Sequence, residues 1–340
     1  MGTTLLTYTT LLFVATAPPA TRSQVEVLTV SEYTALVDAF EETRSAKTTE
    51  RLVEFSHETI RKASEDYKRS ILASHQDRGE RRLALRLKRA ALLHTEASLL
   101  LRTEESAFLH MDIAKGFIQG IENDRERRAL IKTWCLAMGY YFQFQVMASL
   151  ASLPFETALQ LDNNDVQILL ALGRVSETSG WMRKSSEQLE RAEMRYRGIM
   201  EIEPSNETAQ IGLAHVLVLK DRHDEALQLV EPLEGKMAES HLDVVSLLIL
   251  GDIYKSQDQL TKAIRSYRKA VHIDPSCQAA VVALSHALYR NRDVDGARNV
   301  MREFLSNRAT SETDSWWIYL KGDRGRSVGF LENMRKELGR

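Results

Sequence analysis

Residues 244–275 read VVSLLILGDIYKSQDQLTKAIRSYRKAVHIDP, and their spacing decides the fold of the chain. In the first half, apolar or small residues follow one another at i, i+3, i+4 and i+7, the spacing of one face of a helix. The second half carries a second such face, and Pro275 ends it because proline cannot continue a helix. The stretch therefore predicts two helices with one buried stripe each: Leu247, Leu250, Gly251 and Tyr254, then Ala263, Tyr267 and Ala270.

The same spacing recurs before and after this stretch, which is typical of repeat proteins. Read in both directions, the register predicts five helical hairpins: residues 132–165, 166–206, 207–243, 244–277 and 278–311. The second unit carries seven extra residues near Trp181–Met182, and the third carries three near Gly235. Seven residues are about two helical turns, so a longer second helix would keep its buried face in phase.

Small and aromatic residues stand at fixed places in these units, and the pattern resembles the tetratricopeptide repeat, whose period is about 34 residues. Gly251 and Ala263 stand where that family has small residues between its two helices, and Tyr267 stands where it has a large aromatic residue. The resemblance implies an all-α solenoid of helical hairpins, wound into a right-handed superhelix. It also implies that the first helices line a concave groove and that the second helices lie outside.

The residues outside the five units are helical in pattern but follow the register less closely. Residues 25–86 predict an N-terminal helical region, and residues 87–131 predict a degenerate helical hairpin. Residues 312–340 predict capping helices, in which Trp316–Tyr319 is expected to cover the last hairpin and 330–338 to form a closing amphipathic helix. The ends of a solenoid need a polar outer side, and the charged residues of this segment supply it.

Residues 1–24 are uncharged as far as Thr21 and include the apolar run Leu11–Ala15. This pattern is similar to a secretory signal peptide, with Ala17 or Ala20 near the cleavage point. No Lys or Arg precedes the run, which favours a disordered tail or a wrongly chosen start codon, and both interpretations stay open. A signal peptide would make the protein periplasmic or secreted, and without one we expect a cytoplasmic protein.

The composition is ordinary for a soluble folded protein, with 44% hydrophobic and 27% charged residues. The net charge of -2 gives no excess of one sign, so we expect no nucleic-acid partner. Residues 133–155 are uncharged and long enough to span a bilayer, but Gln143, Pro154 and the repeat register argue against an integral membrane span. Cys135 and Cys277 stand alone in the sequence and are interpreted as buried thiols.

The resemblance implies which side chains face the groove, because the inward positions of the family can be counted along each first helix. A mixture of aromatic and charged groups there is typical of a surface that binds a protein or peptide. The predicted groove residues are Tyr140, Gln143, Phe144, Arg174, Glu177, His215, Asp252, Lys255, His286, Tyr289 and Arg290. Family members that grip a C-terminal carboxylate use Asn at one of these positions, where this chain never has Asn, so we do not expect that ligand.

The chain contains none of the short motifs of known reaction centres that we considered. H-E-x-x-H, G-x-S-x-G, the P-loop and G-x-G-x-x-G do not occur. His94 and His110 lie close together in the degenerate hairpin, where partly buried, hydrogen-bonded rings are favoured over a pair of metal ligands. The sequence therefore predicts no catalytic residue, no cofactor and no metal.

The leading hypothesis is a protein-interaction scaffold that binds a peptide or partner protein in the concave groove, and its setting could be the assembly of a bacterial envelope. A second hypothesis is an enzyme with a catalytic N-terminal helical region and the repeats as a targeting arm. It requires a pocket with a perturbed titratable pair between Val30 and Leu130. A third hypothesis is a structural subunit of a secretion or pilus complex. The sequence does not fix the identity of the partner or the oligomeric state.

Overall fold

The computed structural model describes residues 28–43, 46–73, 80–100, 104–145, 147–234, 240–306 and 314–321. Within these ranges the chain is all-α, with one short 3₁₀ helix and no strand. The predicted signal peptide or tail of residues 1–24 lies outside them, and so does the closing helix predicted at 330–338. No helix in the described ranges has the length and the apolar content needed to cross a lipid bilayer.

In the described ranges, five helices precede the repeats and form a core that Leu130 of the first repeat hairpin also joins. They are α1 (Val30–Thr43), α2 (Ala46–Val53), α3 (His57–Ala73), α4 (Glu80–Leu100) and α5 (Glu104–Gln119). α4 and α5 pack along each other, α1 and α2 contact α4, and α3 contacts α4 and α5. Tyr33, Tyr67 and Phe117 are buried in this core, which explains the helical spacing of apolar residues upstream of the repeats.

Ten further helices of the described ranges pair into five hairpins in the order of the five predicted units, although the first hairpin begins at Asp124 and the fourth at His241, ahead of the predicted starts at 132 and 244. They are α6 (Asp124–Phe144) and α7 (Ala148–Leu161), α8 (Val166–Arg183) and α9 (Ser186–Ile202), α10 (Glu207–Leu219) and α11 (His223–Val230), α12 (His241–Ser256) and α13 (Leu260–Ile273), and α14 (Gln278–Arg290) and α15 (Val294–Ser306). The 3₁₀ helix Glu231–Leu233 continues α11. The predicted all-α fold of stacked helical hairpins is confirmed.

Glycines mark the places where the two helices of a hairpin approach most closely. A Cβ atom on Gly139 would lie 2.5 Å from the Phe155 ring, closer than real Cβ contacts allow. Gly251 stands in the same relation to Tyr267 in the fourth unit. Because only glycine leaves room for the ring, its position sets the distance between the first and second helix.

Tyr196 joins two hairpins through a single ring. It lies on α9, the second helix of its unit, and is fully buried. A Cβ on Gly173 of its own hairpin would lie 2.7 Å from the ring, and one on Gly212 of the next hairpin would also collide with it. The aromatic position of the repeat therefore fills the space both within a hairpin and between neighbours.

The turns inside three successive hairpins share one backbone conformation. Asp221, Asp258 and Arg292 have positive φ angles of 58°, 59° and 65°, and each follows the first helix of its unit. A residue in this left-handed region directs the chain sharply back, so that the second helix can pack on the first. The recurrence of the same turn supports the register read from the sequence.

The hairpin of α8 and α9 is longer than the three hairpins that follow it. Its helices contain 18 and 17 residues, against 13 in each helix of the α14–α15 hairpin. The extra residues predicted near Trp181–Met182 lengthen the first helix, which runs to Arg183, and not the second helix alone. Lys184 then turns the chain with a φ of 52°, and Ser185 accepts a hydrogen bond from the Gln188 amide to begin α9.

Candidate partner-binding groove

The last described helix, α16 (Ser315–Lys321), packs against the first helices α8, α10 and α12, and we refer to this surface of the first helices as the groove. The sequence led us to expect Trp316–Tyr319 over the last hairpin, whereas the structure packs α16 against α12, with Tyr319 reaching α8. Trp316 and Tyr319 are three residues apart and therefore share one face of the helix. That face is turned into the groove, where it meets polar partners that the last hairpin does not offer.

Two aspartates hold the start of α16 against the ends of two repeat helices. Asp274 Oδ2, at the end of α13, accepts hydrogen bonds from the Ser315 amide at 2.9 Å and from its hydroxyl at 2.6 Å. Asp314 Oδ2 accepts from the Gln278 amide at the start of α14, and its other oxygen accepts from the Trp316 amide, both at 2.9 Å. Asp314 thus caps two helices at once and ties α16 to the repeats.

Glu177 is the centre of the groove. Its carboxylate lies on α8, is fully buried, and accepts hydrogen bonds from three parts of the chain. Tyr196 donates to Oε2 at 2.5 Å, while Tyr319 of α16 and Nδ1 of His215 lie 2.6 Å from Oε1. Burial alone would raise the pKa of Glu177, but the bonds with His215 and Tyr196 and the charge of Arg174 outweigh it, and the pKa is lowered. The carboxylate is therefore charged inside the groove.

Both tyrosine hydroxyls around Glu177 remain protonated donors. Burial, reinforced by the neighbouring carboxylate, raises the pKa of Tyr319 well above 10.0. The same two causes, in the same order, raise the pKa of Tyr196 well above 10.0. A protonated hydroxyl next to a carboxylate gives a charge-assisted hydrogen bond, which is stronger than a neutral one.

Arg174 supplies the positive charge of the groove and contacts α16 in two ways. It is one turn before Glu177 on α8 and is 4% exposed. Its guanidinium donates to the Tyr319 carbonyl at 2.5 Å and lies 4.0 Å from the centre of the Tyr319 ring. One residue of α16 thus receives a hydrogen bond and a cation–π contact from the same arginine.

Aromatic rings surround this polar centre on the solvent side. Trp316 packs edge-on against His215, with ring centres 5.2 Å apart, and against Trp181 at 6.4 Å. At the end of α16, Lys321 lies 5.8 Å from the ring of Phe144 and 5.3 Å from that of Trp317. These rings shield the hydrogen bonds of Glu177 from water on one side.

The structure brings three of the predicted groove residues into this centre: Arg174, Glu177 and His215. Phe144 is 39% exposed beside Lys321. Gln143, in contrast, is 6% exposed and belongs to the interior of the first hairpin. Tyr140 packs edge-on against Phe155, with ring centres 5.2 Å apart.

The remaining predicted groove residues lie on α12 and α14, away from Glu177. Asp252 accepts hydrogen bonds from the Tyr267 hydroxyl at 2.7 Å and from the Lys255 ammonium group. Arg290 forms an ion pair with Asp258 at 3.3 Å. His286 is exposed, and Tyr289 is 64% exposed. This part of the groove presents charged and aromatic groups to solvent.

Sequence reasoning missed the partners of Glu177 that lie outside the first helices. The sequence predicts no groove position for Tyr196 and places Trp316 and Tyr319 over the last hairpin, whereas Tyr196 and Tyr319 both donate hydrogen bonds to Glu177. A signal was present, because Arg174 and Glu177 stand one turn apart on the predicted first helix of a repeat, behind the apolar run 168–172. Charged groups in such a setting need hydrogen-bond partners from elsewhere in the chain.

A second buried polar cluster lies in the N-terminal core. The Tyr33 hydroxyl is 2.6 Å from His94 Nε2, and His94 Nδ1 is 2.8 Å from His110 Nδ1. Burial, then the neighbouring ring, holds the pKa of His94 well below 6.5, and burial, then His57, lowers the pKa of His110 to about 4. Both rings are therefore neutral at pH 7. Within the described ranges, no three His, Cys, Asp or Glu side chains are grouped to bind a metal ion.

Comparison with known proteins agrees with the geometry of the repeats. A family model described as a tetratricopeptide repeat-like domain matches residues 170–284, the stretch that contains Arg174, Glu177 and His215. The match covers about a third of the chain and shows its similarity to that family over these residues. The resemblance read from the small and aromatic positions of the sequence is confirmed.

Individual known proteins resemble part of this chain. Cellulose synthase operon protein C of Komagataeibacter sucrofermentans is 29% identical over 121 residues, which is 36% of this chain but 9% of that protein. The solved structure of PilF from Pseudomonas aeruginosa is 17% identical, covers 62% of this chain and 90% of its own, and has a TM-score of 0.45. The structure of MamA from Desulfovibrio magneticus, from residue 41 to its end, is 17% identical, covers 53% and 98%, and has a TM-score of 0.43.

Proposed function

We propose that this chain is a protein-interaction scaffold whose concave groove binds a segment of a partner polypeptide. The proposal rests on the position of α16. The groove binds this helix through contacts with the Tyr319 hydroxyl, the Tyr319 carbonyl and the Trp316 ring. A surface that binds one polypeptide segment with specific polar and aromatic contacts has the chemistry to bind another.

The part of the groove beyond α16 offers further contacts to a partner. Phe144 and Tyr289 are 39% and 64% exposed, and His286 and Arg290 lie near Tyr289 on α14. Aromatic residues and arginine contribute most of the binding free energy in many protein interfaces. We infer that a partner longer than α16 contacts these side chains as well.

A pull-down from native extract with matched variants tests the groove. One variant replaces exposed groove residues, with His286→Ala, Tyr289→Ala and Arg290→Ala. The control replaces two exposed residues of second helices, with Leu153→Ala and Met194→Ala, which are 71% and 67% exposed. We expect the first variant to lose partners that both the wild type and the control retain. Equal recovery with all three proteins would contradict groove binding.

A related proposal is that the chain is a stoichiometric subunit of a secretion or pilus complex. A structural subunit differs from a transient adaptor in that its complex with the partner is stable. A transient adaptor is lost during purification, whereas a structural subunit stays with its complex at a fixed ratio. Cellulose synthase operon protein C and PilF, to which this chain is similar over part of its length, are bacterial proteins, which makes an envelope assembly worth testing first. Purification from native membranes and from the soluble fraction, followed by mass measurement, distinguishes the two cases.

The enzyme hypothesis for the N-terminal region has a single feature in its favour, the perturbed pair His94 and His110. Both rings are buried, with exposures of 0% and 1%, and they are hydrogen-bonded within the core. A general acid or base must reach its substrate, which these rings do not do in this arrangement. We therefore propose a packing role for the pair and a non-catalytic scaffold for the chain.

The location of the protein follows from the fate of residues 1–24. If they form a signal peptide, the mature native protein begins close to Thr21 and the scaffold acts outside the cytoplasm. Sequencing the N-terminus of the native protein decides between this proposal and an uncleaved tail.

A further inference from the structure

The groove is filled at its centre by the chain's own helix α16, which is the shortest α-helix of the described ranges. It contains seven residues, whereas the repeat helices on either side of it, α8, α10, α12 and α14, contain 13 to 18. A helix of two turns is unstable by itself in water. Its conformation therefore depends on the contacts that it makes with the groove.

These contacts define the chemistry that the groove recognises. The ligand must present a hydroxyl donor to Glu177, a carbonyl and an aromatic face to Arg174, and a second aromatic ring to His215. Tyr319 meets the first two requirements, and Trp316, one turn earlier, meets the third. A pair of Trp at i and Tyr at i+3 on one helix places all of these groups on the same face.

The buried charges make the groove selective. Glu177 is 0% exposed and Arg174 is 4% exposed when α16 is in place. A ligand that fills the groove without a hydroxyl donor would leave one carboxylate oxygen with fewer hydrogen bonds, and an unpaired buried polar group weakens binding. A phenylalanine in place of the tyrosine is therefore expected to bind more weakly, although it is similar in shape.

One face of α16 is buried less completely than the other. Trp316, Trp317, Ile318 and Lys321 are half-buried, while Ser315, Tyr319 and Leu320 are buried. The helix is thus held mainly by anchors along one face. A segment with the same anchors can replace it if it also gains contacts with Phe144 or Tyr289, which α16 leaves 39% and 64% exposed.

We infer that the partner recognised by this groove is a short amphipathic helix that carries a tryptophan followed three residues later by a tyrosine, and that α16 is an internal competitor which the partner displaces. The inference rests on the proposed function, because both place the ligand in the same groove. The inference adds the chemistry of the ligand, which is a tryptophan and a tyrosine three residues apart. It also adds regulation, because α16 keeps segments that lack this pair out of the groove.

The test uses the full chain and a fluorescent peptide with the sequence of α16 and its cap, Asp314–Lys321 (DSWWIYLK). A Trp316→Ala/Tyr319→Ala variant removes both anchors of the internal helix and leaves the groove side chains intact. An internal ligand raises the apparent Kd of an external one by the reciprocal of the fraction of molecules whose groove is free. We expect the variant to bind the peptide at least tenfold more tightly than the wild type, measured by fluorescence anisotropy.

Two controls make the result specific. A Met194→Ala/Leu305→Ala variant, which changes two exposed apolar residues of second helices, should bind the peptide like the wild type. A peptide in which the tyrosine is replaced by phenylalanine should bind the Trp316→Ala/Tyr319→Ala variant about thirtyfold more weakly, because it lacks the hydrogen bond to a charged group. Equal affinity of the wild type and the Trp316→Ala/Tyr319→Ala variant for the peptide, or no binding of the peptide by either protein, would overturn the inference.

Hydrogen exchange on the unmodified protein keeps the test decisive if the double variant does not fold. A displaceable α16 exchanges its amide hydrogens at least a hundredfold faster than α12, against which it packs. Protection equal to that of α12 would show that α16 is a permanent part of the fold and would overturn the inference. The peptide assay needs no native partner, so a failure to bind the peptide excludes a Trp/Tyr ligand only. Equal recovery of partners in the pull-down excludes binding of the partner in the groove.

Discussion

The N-terminal core and the groove each bury a tyrosine hydroxyl among titratable side chains, but they do so in opposite electrostatic states. Tyr33 bonds to the neutral ring of His94, which bonds to the neutral ring of His110. Tyr319 bonds to the charged Glu177. In the core, burial prevails and keeps the groups neutral. In the groove, hydrogen bonds and a countercharge prevail and keep the carboxylate ionised.

The difference teaches how the two regions use polar groups. In the N-terminal core, the neutral rings of His94 and His110 bond to each other and to Tyr33. These rings need no charged partner. A charged centre, in contrast, is stable only while every partner stays in place, and one of its partners comes from α16, 142 residues along the chain. The groove therefore depends on its occupant in a way that the N-terminal core does not.

Removing the charge at the centre of the groove is expected to have the largest effect. Glu177→Ala leaves Arg174 buried without its countercharge, and we expect the free energy of unfolding to fall by about 4 kcal/mol. Urea unfolding followed by circular dichroism measures the loss. The matched control is Glu187→Ala, whose exposed ion pair with Arg191 contributes less than about 1 kcal/mol. A loss for Glu177→Ala as small as that of the control would mean that the groove carboxylate is not charged.

Acid is expected to act on the N-terminal core. The pKa of His110 is about 4 in the folded protein and 6.5 in the unfolded chain, so the unfolded chain binds the proton more tightly. Its contribution to stability is complete above pH 6.5 and is lost as the pH falls toward 4. This shift of about 2.5 pKa units corresponds to about 3 kcal/mol.

Urea unfolding at pH 7 and at pH 4.5 measures this loss, with the wild type and a His110→Phe variant. We expect the variant to be less stable at pH 7 but to lose less on acidification, because it lacks the titrating ring. His272→Gln, on the exposed end of α13, should behave like the wild type. An identical pH dependence in the wild type and His110→Phe would contradict the assignment of acid sensitivity to this ring.

The smallest expected effects come from removing one hydroxyl from each cluster. Tyr319→Phe removes a hydrogen bond to a charged group and should weaken the docking of α16 by about 2 kcal/mol. Tyr33→Phe removes a hydrogen bond to a neutral ring and should lower the free energy of unfolding by about 1 kcal/mol. Tryptophan fluorescence reports the first change through Trp316 and Trp317, and circular dichroism reports the second. Equal losses in the two variants would remove the electrostatic distinction between the clusters.

The repeats could be predicted from the sequence because their packing is local and periodic. Gly139, Gly173 and Gly251 stand opposite aromatic rings within the same hairpin, so a spacing read along the chain was enough to place them. The register also nominated Arg174 and Glu177, since both count as inward positions of one helix. Their role in binding a partner remains a prediction.

The seat of α16 could not be predicted in the same way. The repeat pattern ends before Asp314, and nothing in a periodic register states whether the next segment packs on the last hairpin or returns to the groove. The contacts that decide it join residues 142 and 145 positions apart, between α16 and α8. The link between Tyr33 and His94 spans 61 positions and was missed for the same reason.

Tyr196 gives the groove a mechanical connection to the spacing of the hairpins. Its ring is wedged between Gly173 and Gly212 of successive units, while its hydroxyl holds Oε2 of Glu177. A ligand that displaces this carboxylate is therefore expected to displace the ring that spaces two hairpins. We expect the curvature of the solenoid to be coupled to the occupancy of its groove through this phenol, so that bending the solenoid changes the affinity of the groove.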